Sequence, residues 1–325
     1  MKSRSSFLPQ TTAILAVAAM MLGGCSASEP AAQKATAPAA ENSKIKIVTT
    51  FYPMYEFTRQ VAGEHADVTA LVPAGAEPHD WEPTAQDMKQ MEEANVFVYN
   101  GAGVEHWVDK ALQSVKKDHL TVVEASKGID LMEGAEEEDH DHETEAHSSE
   151  KAWDPHVWLD PVLAQKEVAS IELALEQADP VHKEDYKKNA DAYIVKLKEL
   201  DQSFRAALST VKRKEFVTQH AAFGYLAKQY GLTQVPIAGL SPEEEPQPAK
   251  MADIIRFAKE HEVKTIFFET LADPKVAAVV AKEVGAKSAV LNPIEGLTDE
   301  DKSQNLDYIG LMQNNVKALQ TALNE

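Results

Sequence analysis

The chain has 325 residues, room for two ordinary domains, with 44% hydrophobic and 26% charged residues, the balance of a soluble globular protein. Its formal net charge of −20 excludes nucleic acid as a partner, because phosphate backbones call for clustered Lys and Arg; an acidic chain suits a cation, although acidity also serves solubility. The single cysteine, Cys25, excludes both an internal disulfide and a cysteine-based zinc site.

The first segment explains that cysteine. Lys2 and Arg4 precede the short apolar run 13–22 (AILAVAAMML), and Gly23, Gly24 and Cys25 follow. The run is too short to cross a bilayer and reads as a secretory signal over residues 1–24. The sequence LGGC resembles the lipobox of bacterial lipoproteins, in which cleavage falls before the cysteine and its sulfur carries a diacylglycerol. That resemblance implies a chain lipid-anchored through Cys25 to the cell membrane, on its extracytoplasmic side. Residues 25–43, rich in Ala, Ser and Pro, cannot build a core and read as a flexible tether.

From Lys44 onward short apolar runs alternate with helical patterns. Strands are expected at 45–50, 67–72, 95–100 and 120–125, with helices at 53–62, 84–94 and 104–115; Thr84 is placed to cap the second of these helices. The segment 133–151 breaks the alternation. Within it, EEEDHDHETEAH (136–147) holds His140, His142 and His147 beside seven carboxylates and no apolar periodicity, the pattern of a mobile insertion. Apolar residues at helical spacing (Tyr186, Tyr193, Leu197, Leu200, Phe204, Leu208, Val211) predict one long helix over 180–212. About thirty helical residues span about 45 Å, the length of a connector running along two domains. The alternation then resumes. Strands are expected at 216–219, 233–238, 264–269 and 288–292, and helices at 223–230, 248–260, 274–284 and 301–323. The expected fold is α/β with two lobes, each a mainly parallel four-stranded sheet with flanking helices. The lobes span 44–179 and 213–325 and are joined by one rigid helix over 180–212.

Four residues stand where a strand gives way to the next element, the edge at which α/β sheets gather ligands. His79 lies in VPAGAEPHDWEP, His156 in WDPHVWLDP, His220 in FVTQHAAFGYL and Glu295 in VLNPIEGLT. A lone loop histidine is ordinarily a surface or hydrogen-bonded group. Three in proline-braced or strand-end loops, spread over both halves, point to a shared ligand. Zinc favours four ligands in a tetrahedron, and three neutral imidazoles with one carboxylate make a suitable set, leaving a charge near +1. Manganese prefers more carboxylate oxygen. Glu269 also ends a strand and rivals Glu295 as the fourth ligand; its bland role is to accept hydrogen bonds at the cleft. Asp80 and Asp160 read as partners behind the ligands or as turn formers. Trp81, Trp153 and Trp158 read as packing, and His65, His106, His119, His182 and His261 as surface residues.

Taken together, EPHDWEPT, DPHVWLDP, TQHAAFGYL, IFFET and LNPIEGLT resemble the cluster A-I solute-binding proteins of metal ABC importers, a zinc and manganese group that includes zinc-uptake and streptococcal adhesin-type lipoproteins. The resemblance covers residues 44–325. It implies two lobes joined by a rigid helix with the metal between them, His79 and His156 as ligands from the first lobe, and His220 and Glu295 from the second. Manganese members tend to carry a carboxylate where His220 stands, which favours zinc here. The resemblance further implies a permease and its ATPase as partners and, in the zinc branch, a loop in this place, read either as a collector that raises local zinc near the cleft or as a merely soluble insertion; the chain is expected to be a monomer. The alternatives are a manganese-binding importer component or a metal-binding lipoprotein adhesin. A zinc hydrolase is disfavoured, since catalytic sites keep a ligand position open and no HExxH motif occurs.

Overall fold

The computed structural model describes residues 44–116, 118–134 and 152–325. The signal segment, Cys25, the tether and His140, His142 and His147 lie outside the described residues.

The short apolar runs form strands because they are too brief for stable helices; the central strands are mostly buried, while the edge strands keep exposed positions. In the first lobe these are β1 (Ile45–Thr49), β2 (Ala66–Ala70), β3 (Val96–Tyr99) and β4 (Thr121–Glu124). All pair in parallel, in the order β2-β1-β3-β4. Helices α1 (Tyr52–Ala62), α2 (Ala85–Glu93) and α3 (Val108–Ser114) supply the crossovers. Thr84 does cap α2: its hydroxyl accepts from the Asp87 amide, and the Asp87 carboxylate accepts from the Thr84 amide in return. Helix α3 begins four residues later than the sequence pattern predicts. Residues 101–103 all have positive φ, and the buried Glu105 carboxylate accepts the Asn100 and Gly101 amides, so the segment turns before it coils.

The second lobe repeats this layout with β5 (Glu215–Thr218), β6 (Thr233–Pro236), β7 (Thr265–Phe268) and β8 (Lys287–Val290), parallel in the order β6-β5-β7-β8. Its helices are α6 (Gly224–Tyr230), α7 (Pro248–Glu260) and α8 (Lys275–Val284), followed by α9 (Asp299–Ser303) and α10 (Tyr308–Ala322). The single terminal helix expected over 301–323 is therefore two. Asn305 sits in the left-handed region at φ +52°, which ends α9, and Asp307 starts α10 by accepting the Gly310 amide.

Two long helices lie between the sheets in sequence. Helix α4 (Pro161–Ala178) is absent from the sequence-based expectation, although its signals are present. Asp160 caps it, Pro161 occupies the first turn, and Ala164, Val168, Ile171 and Leu175 line one buried face. Helix α5 (Lys183–Leu208) is the connector, 26 residues and thus about 39 Å long. It is shorter than the expected 180–212 because residues 180–182 form a 3-10 turn, with Asp179 accepting from His182 Nδ1 and the Tyr186 hydroxyl. Helix α5 packs on α1 and α4 in the first lobe and on α10 and α6 in the second. One continuous apolar core follows it, from Phe57 and Trp158 through Tyr193 and Phe204 to Phe223 and Tyr308.

Candidate metal centre

His220 and Glu295 follow the carboxyl ends of β5 and β8 closely, His79 lies in the loop after β2, and His156 stands directly before the 3-10 turn Val157–Leu159. The strand order reverses between β1 and β3 and between β5 and β7, opening a crevice at the carboxyl ends of the strands.

Each histidine turn is set by a nearby carboxylate. In Glu77–Pro78–His79, Glu77 Oε2 accepts the His79 amide at 3.0 Å. In Asp154–Pro155–His156, Asp154 Oδ1 accepts the His156 amide at 3.0 Å and the Nδ1 proton at 2.8 Å. His220 is held from β7: Glu269 Oε1 accepts its amide at 3.0 Å and Oε2 its Nδ1 proton at 2.6 Å. An ionised carboxylate only accepts, so Asp154 and Glu269 each hold a proton on Nδ1 of their histidine and leave Nε2 as the nitrogen that faces the cluster; any proton it carries there must leave before it ligates. Glu295 follows Ile294, a β-branched residue at φ +59° whose backbone costs about 1–3 kcal/mol to hold there.

The four donor atoms lie within 4.8 Å of one another, and no other such group occurs among the described residues. Nε2 of His156 is 3.3 Å from Nε2 of His79 and 3.3 Å from Nε2 of His220. Glu295 Oε1 lies 3.3 Å from His79 Nε2, 3.6 Å from His156 Nε2 and 3.5 Å from His220 Nε2. A tetrahedron around zinc with bonds of 2.0–2.1 Å has edges of about 3.3–3.4 Å. The cluster is thus dimensioned for a four-coordinate ion. The side chains of His156, His220 and Glu295 are at most 1% exposed, whereas His79 is 9% exposed, so an ion reaches the cluster on the His79 side.

The electrostatics favour a cation. Burial opposes the charge of Glu295, but hydrogen bonds from His156, His220 and His79 outweigh it and hold its pKa well below the ordinary value. Burial likewise opposes a charged His220, yet Glu269 and Glu295 raise its pKa well above ordinary. His156 is raised by Asp154 and Glu295 against the same burial cost, while His79 is lowered by burial. Burial and the neighbouring Glu295 push Glu77 up to about 8. A divalent ion on Glu295 leaves a charge near +1, and the carboxylates of Asp154 and Glu269 offset it, which lowers the cost of burying it.

Glu269 is therefore not a member of the donor cluster. It stands behind His220, where its two oxygens accept the His220 amide and Nδ1 protons. Asp160 caps α4, and Asp80 is exposed. Trp158 is fully buried, but Trp153 is 41% exposed and packs no core. His65 and His182 are partly buried and stack on each other at 4.1 Å. The sequence reading passed over Asp154 and Glu77. Their signal was legible: a carboxylate, a proline and a histidine in that order, twice.

The family description "ZnuA: Zinc-uptake complex component A periplasmic" matches residues 47–322. The chain belongs to this family. The ZnuA family is a component of zinc-uptake complexes and acts outside the cytoplasm. The "High-affinity zinc uptake system protein ZnuA" of Bacillus subtilis is 50% identical over 284 residues, 87% of this chain and 89% of that protein. The "Zinc-binding lipoprotein AdcA" of Streptococcus pneumoniae is 47% identical over 280 residues. That match takes in 86% of this chain but only 56% of the relative, so this chain spans about half of the streptococcal protein. Among solved structures, the Zn(II)-bound ZnuA-like domain of Streptococcus pneumoniae AdcA has a TM-score of 0.74 at 42% identity, covering 87% of this chain and all (100%) of that one. The laminin-binding protein of Streptococcus agalactiae, described as bifunctional with adhesin and metal-transporting activity, has a TM-score of 0.75 at 37% identity, covering 86% of this chain and 99% of that one. The two-lobe ZnuA fold and zinc as its ion agree with the geometry above.

Proposed function

We propose that this chain captures extracytoplasmic Zn2+ with His79, His156, His220 and Glu295 and delivers it to the permease of an ABC importer. The tetrahedral spacing of four donor atoms, three of them imidazole nitrogen, carries the reading. Three nitrogen donors and a closed coordination shell favour zinc over manganese, which asks for more oxygen. A site with every position filled by protein holds its ion rather than activating a water, so the role is transport and not catalysis. Zinc is cargo here. Ligands drawn from two lobes make release a matter of small lobe movement on docking to the permease. Metal analysis of the purified mature protein tests this. About one tightly held zinc is expected, lost in a His156→Ala variant; tight binding of manganese with indifference to zinc overturns the assignment.

The remaining features belong to delivery. Cys25 would carry the lipid that keeps the protein at the membrane beside its permease, and no described helix is long and apolar enough to cross a membrane itself. Acid–histidine residues 136–147, with His140, His142 and His147, would collect zinc for the centre, because imidazoles and carboxylates this close in sequence offer several donors to one ion. Release of a Cys25→Ser protein into the medium supports the first role and its retention refutes it. Unchanged growth under zinc limitation after deletion of 136–147 refutes the second.

A further inference from the structure

Two groups of the second lobe take hold of Trp158 in the first. The indole Nε1–H donates to the Pro293 carbonyl at 2.8 Å, and the Tyr308 hydroxyl donates to the Trp158 carbonyl. Trp158 is fully buried and meets Phe51 edge-on at 5.0 Å. It lies two residues after His156, while Pro293 lies two residues before Glu295. One indole thus joins the turns that carry a ligand from each lobe.

The turn on the Pro293 side is held against its preference. Ile294 is fully buried at φ +59°, a region that β-branched residues rarely adopt. Such a conformation persists only where the surroundings over-determine it. Within the second lobe, Asn292 Oδ1 accepts the Ile294 amide at 2.7 Å. Asn315 accepts the Asn292 amide at 2.9 Å and donates to the Asn292 carbonyl at 2.7 Å. These bonds anchor Asn292 and the Ile294 amide. The Pro293 carbonyl between them is secured across the cleft, by Trp158. Gly296, just past the ligand, also meets the first lobe: a β-carbon there would stand 3.5 Å from the Ala76 carbonyl, in the turn leading to His79.

We propose that Trp158 is a positioning residue for zinc: its indole N–H holds the strained 292–295 turn from the opposite lobe, so that Glu295 is presented to the ion only while the lobes are closed. The inference rests on the reading of Glu295 as a zinc ligand. When the lobes part, the indole leaves Pro293, the turn relaxes and Glu295 withdraws. The ion is then held by imidazoles alone and leaves faster. Closure and ligand presentation become one event, and a permease that opens the lobes needs no contact with the ion to dislodge Glu295.

The test is a double-mutant cycle on the rate of zinc release from the mature protein into excess chelator, with Trp158→Phe, Glu295→Ala and the pair. Loss of one buried hydrogen bond corresponds to roughly tenfold faster release in Trp158→Phe. Release from the double variant is expected at the rate of Glu295→Ala alone, because Trp158 acts through Glu295. A merely structural tryptophan would lower the melting temperature of the metal-free protein and multiply its effect on that of Glu295→Ala. Wild-type release from Trp158→Phe, or effects that multiply, overturns the proposal and leaves the ligand assignment standing. Unchanged release from Glu295→Ala overturns the assignment and the proposal with it. If the phenylalanine variant does not fold, 3-benzothienylalanine at position 158 keeps the bicyclic outline, lacks the N–H and gives the same readout.

Discussion

At the residue scale the centre consists of four donors and the carboxylates that aim them. Asp154 and Glu269 hold a proton on Nδ1 of His156 and of His220 and turn Nε2 inward. Removing such a partner ordinarily costs about 10–100-fold in metal affinity. Asp154→Asn and Glu269→Gln are therefore expected to weaken zinc binding by that factor in competition titrations, with the fold retained. The same pairs set the pH dependence. His156 and His220 have raised pKa values in the metal-free protein, so zinc must displace protons from them. Affinity is expected to fall as pH drops and to rise with pH beyond the ordinary histidine range, because both groups hold their protons more tightly than a free imidazole. Calorimetry in buffers of differing ionisation enthalpy reads the protons released, and a pH-independent affinity between 6 and 8 contradicts the scheme. Stability of the metal-free fold runs the other way. A raised histidine pKa contributes stability that is full below the unfolded value and lost as pH rises through the folded one. The depressed Glu295 pKa contributes stability present above its unfolded value and lost only in stronger acid.

At the element scale, local signals decided most boundaries, and the exceptions have identifiable causes. Thr84 with Asp87 and Thr298 with Asp301 form reciprocal caps that start α2 and α9. The terminal helix divides because Asn305 adopts a left-handed backbone and Asp307 caps a new start. Periodicity alone does not mark such a break: the apolar stripe of Tyr308, Leu311, Met312, Val316 and Leu319 lies wholly within α10, and α9, DEDKS, has no apolar residue to set it apart. Asp307→Ala is expected to cost about 1 kcal/mol in denaturant unfolding. A loss below about 0.3 kcal/mol would show that packing of Tyr308 and Leu311, and not the cap, fixes the start of α10.

At the scale of the whole molecule, α5 and the core along it make residues 44–325 one unit. Phe204 lies in α5, fully buried, with its ring stacked on Tyr230 of α6 at 5.0 Å. Phe204→Ala is expected to cost about 3–5 kcal/mol and to lower one shared unfolding transition. Two separated transitions would mean that the lobes fold independently of the connector. Zinc is expected to restore part of that loss, about 2.7 kcal/mol at a free concentration a hundredfold above its dissociation constant. A melting temperature that zinc does not move would place the ion outside the folded centre.

The amino-acid sequence by itself determined the alternation of short apolar strands with amphipathic helices, the long connector, and the loop positions of His79, His156, His220 and Glu295. These are local properties, written in periodicity, caps and the composition of single loops. Only the tertiary structure separates Glu269 from Glu295, because both follow a strand and both are buried beside histidine, but Glu295 alone of the two belongs to the donor cluster. Residues 49 positions apart put Glu269 behind His220, facing Nδ1, while Glu295 comes to within 3.6 Å of three Nε2 atoms. The same holds for Trp158, whose partner Pro293 is 135 residues distant. Ligation is settled by which atom faces the shared centre, and that depends on how two sheets and one connecting helix bring distant turns together.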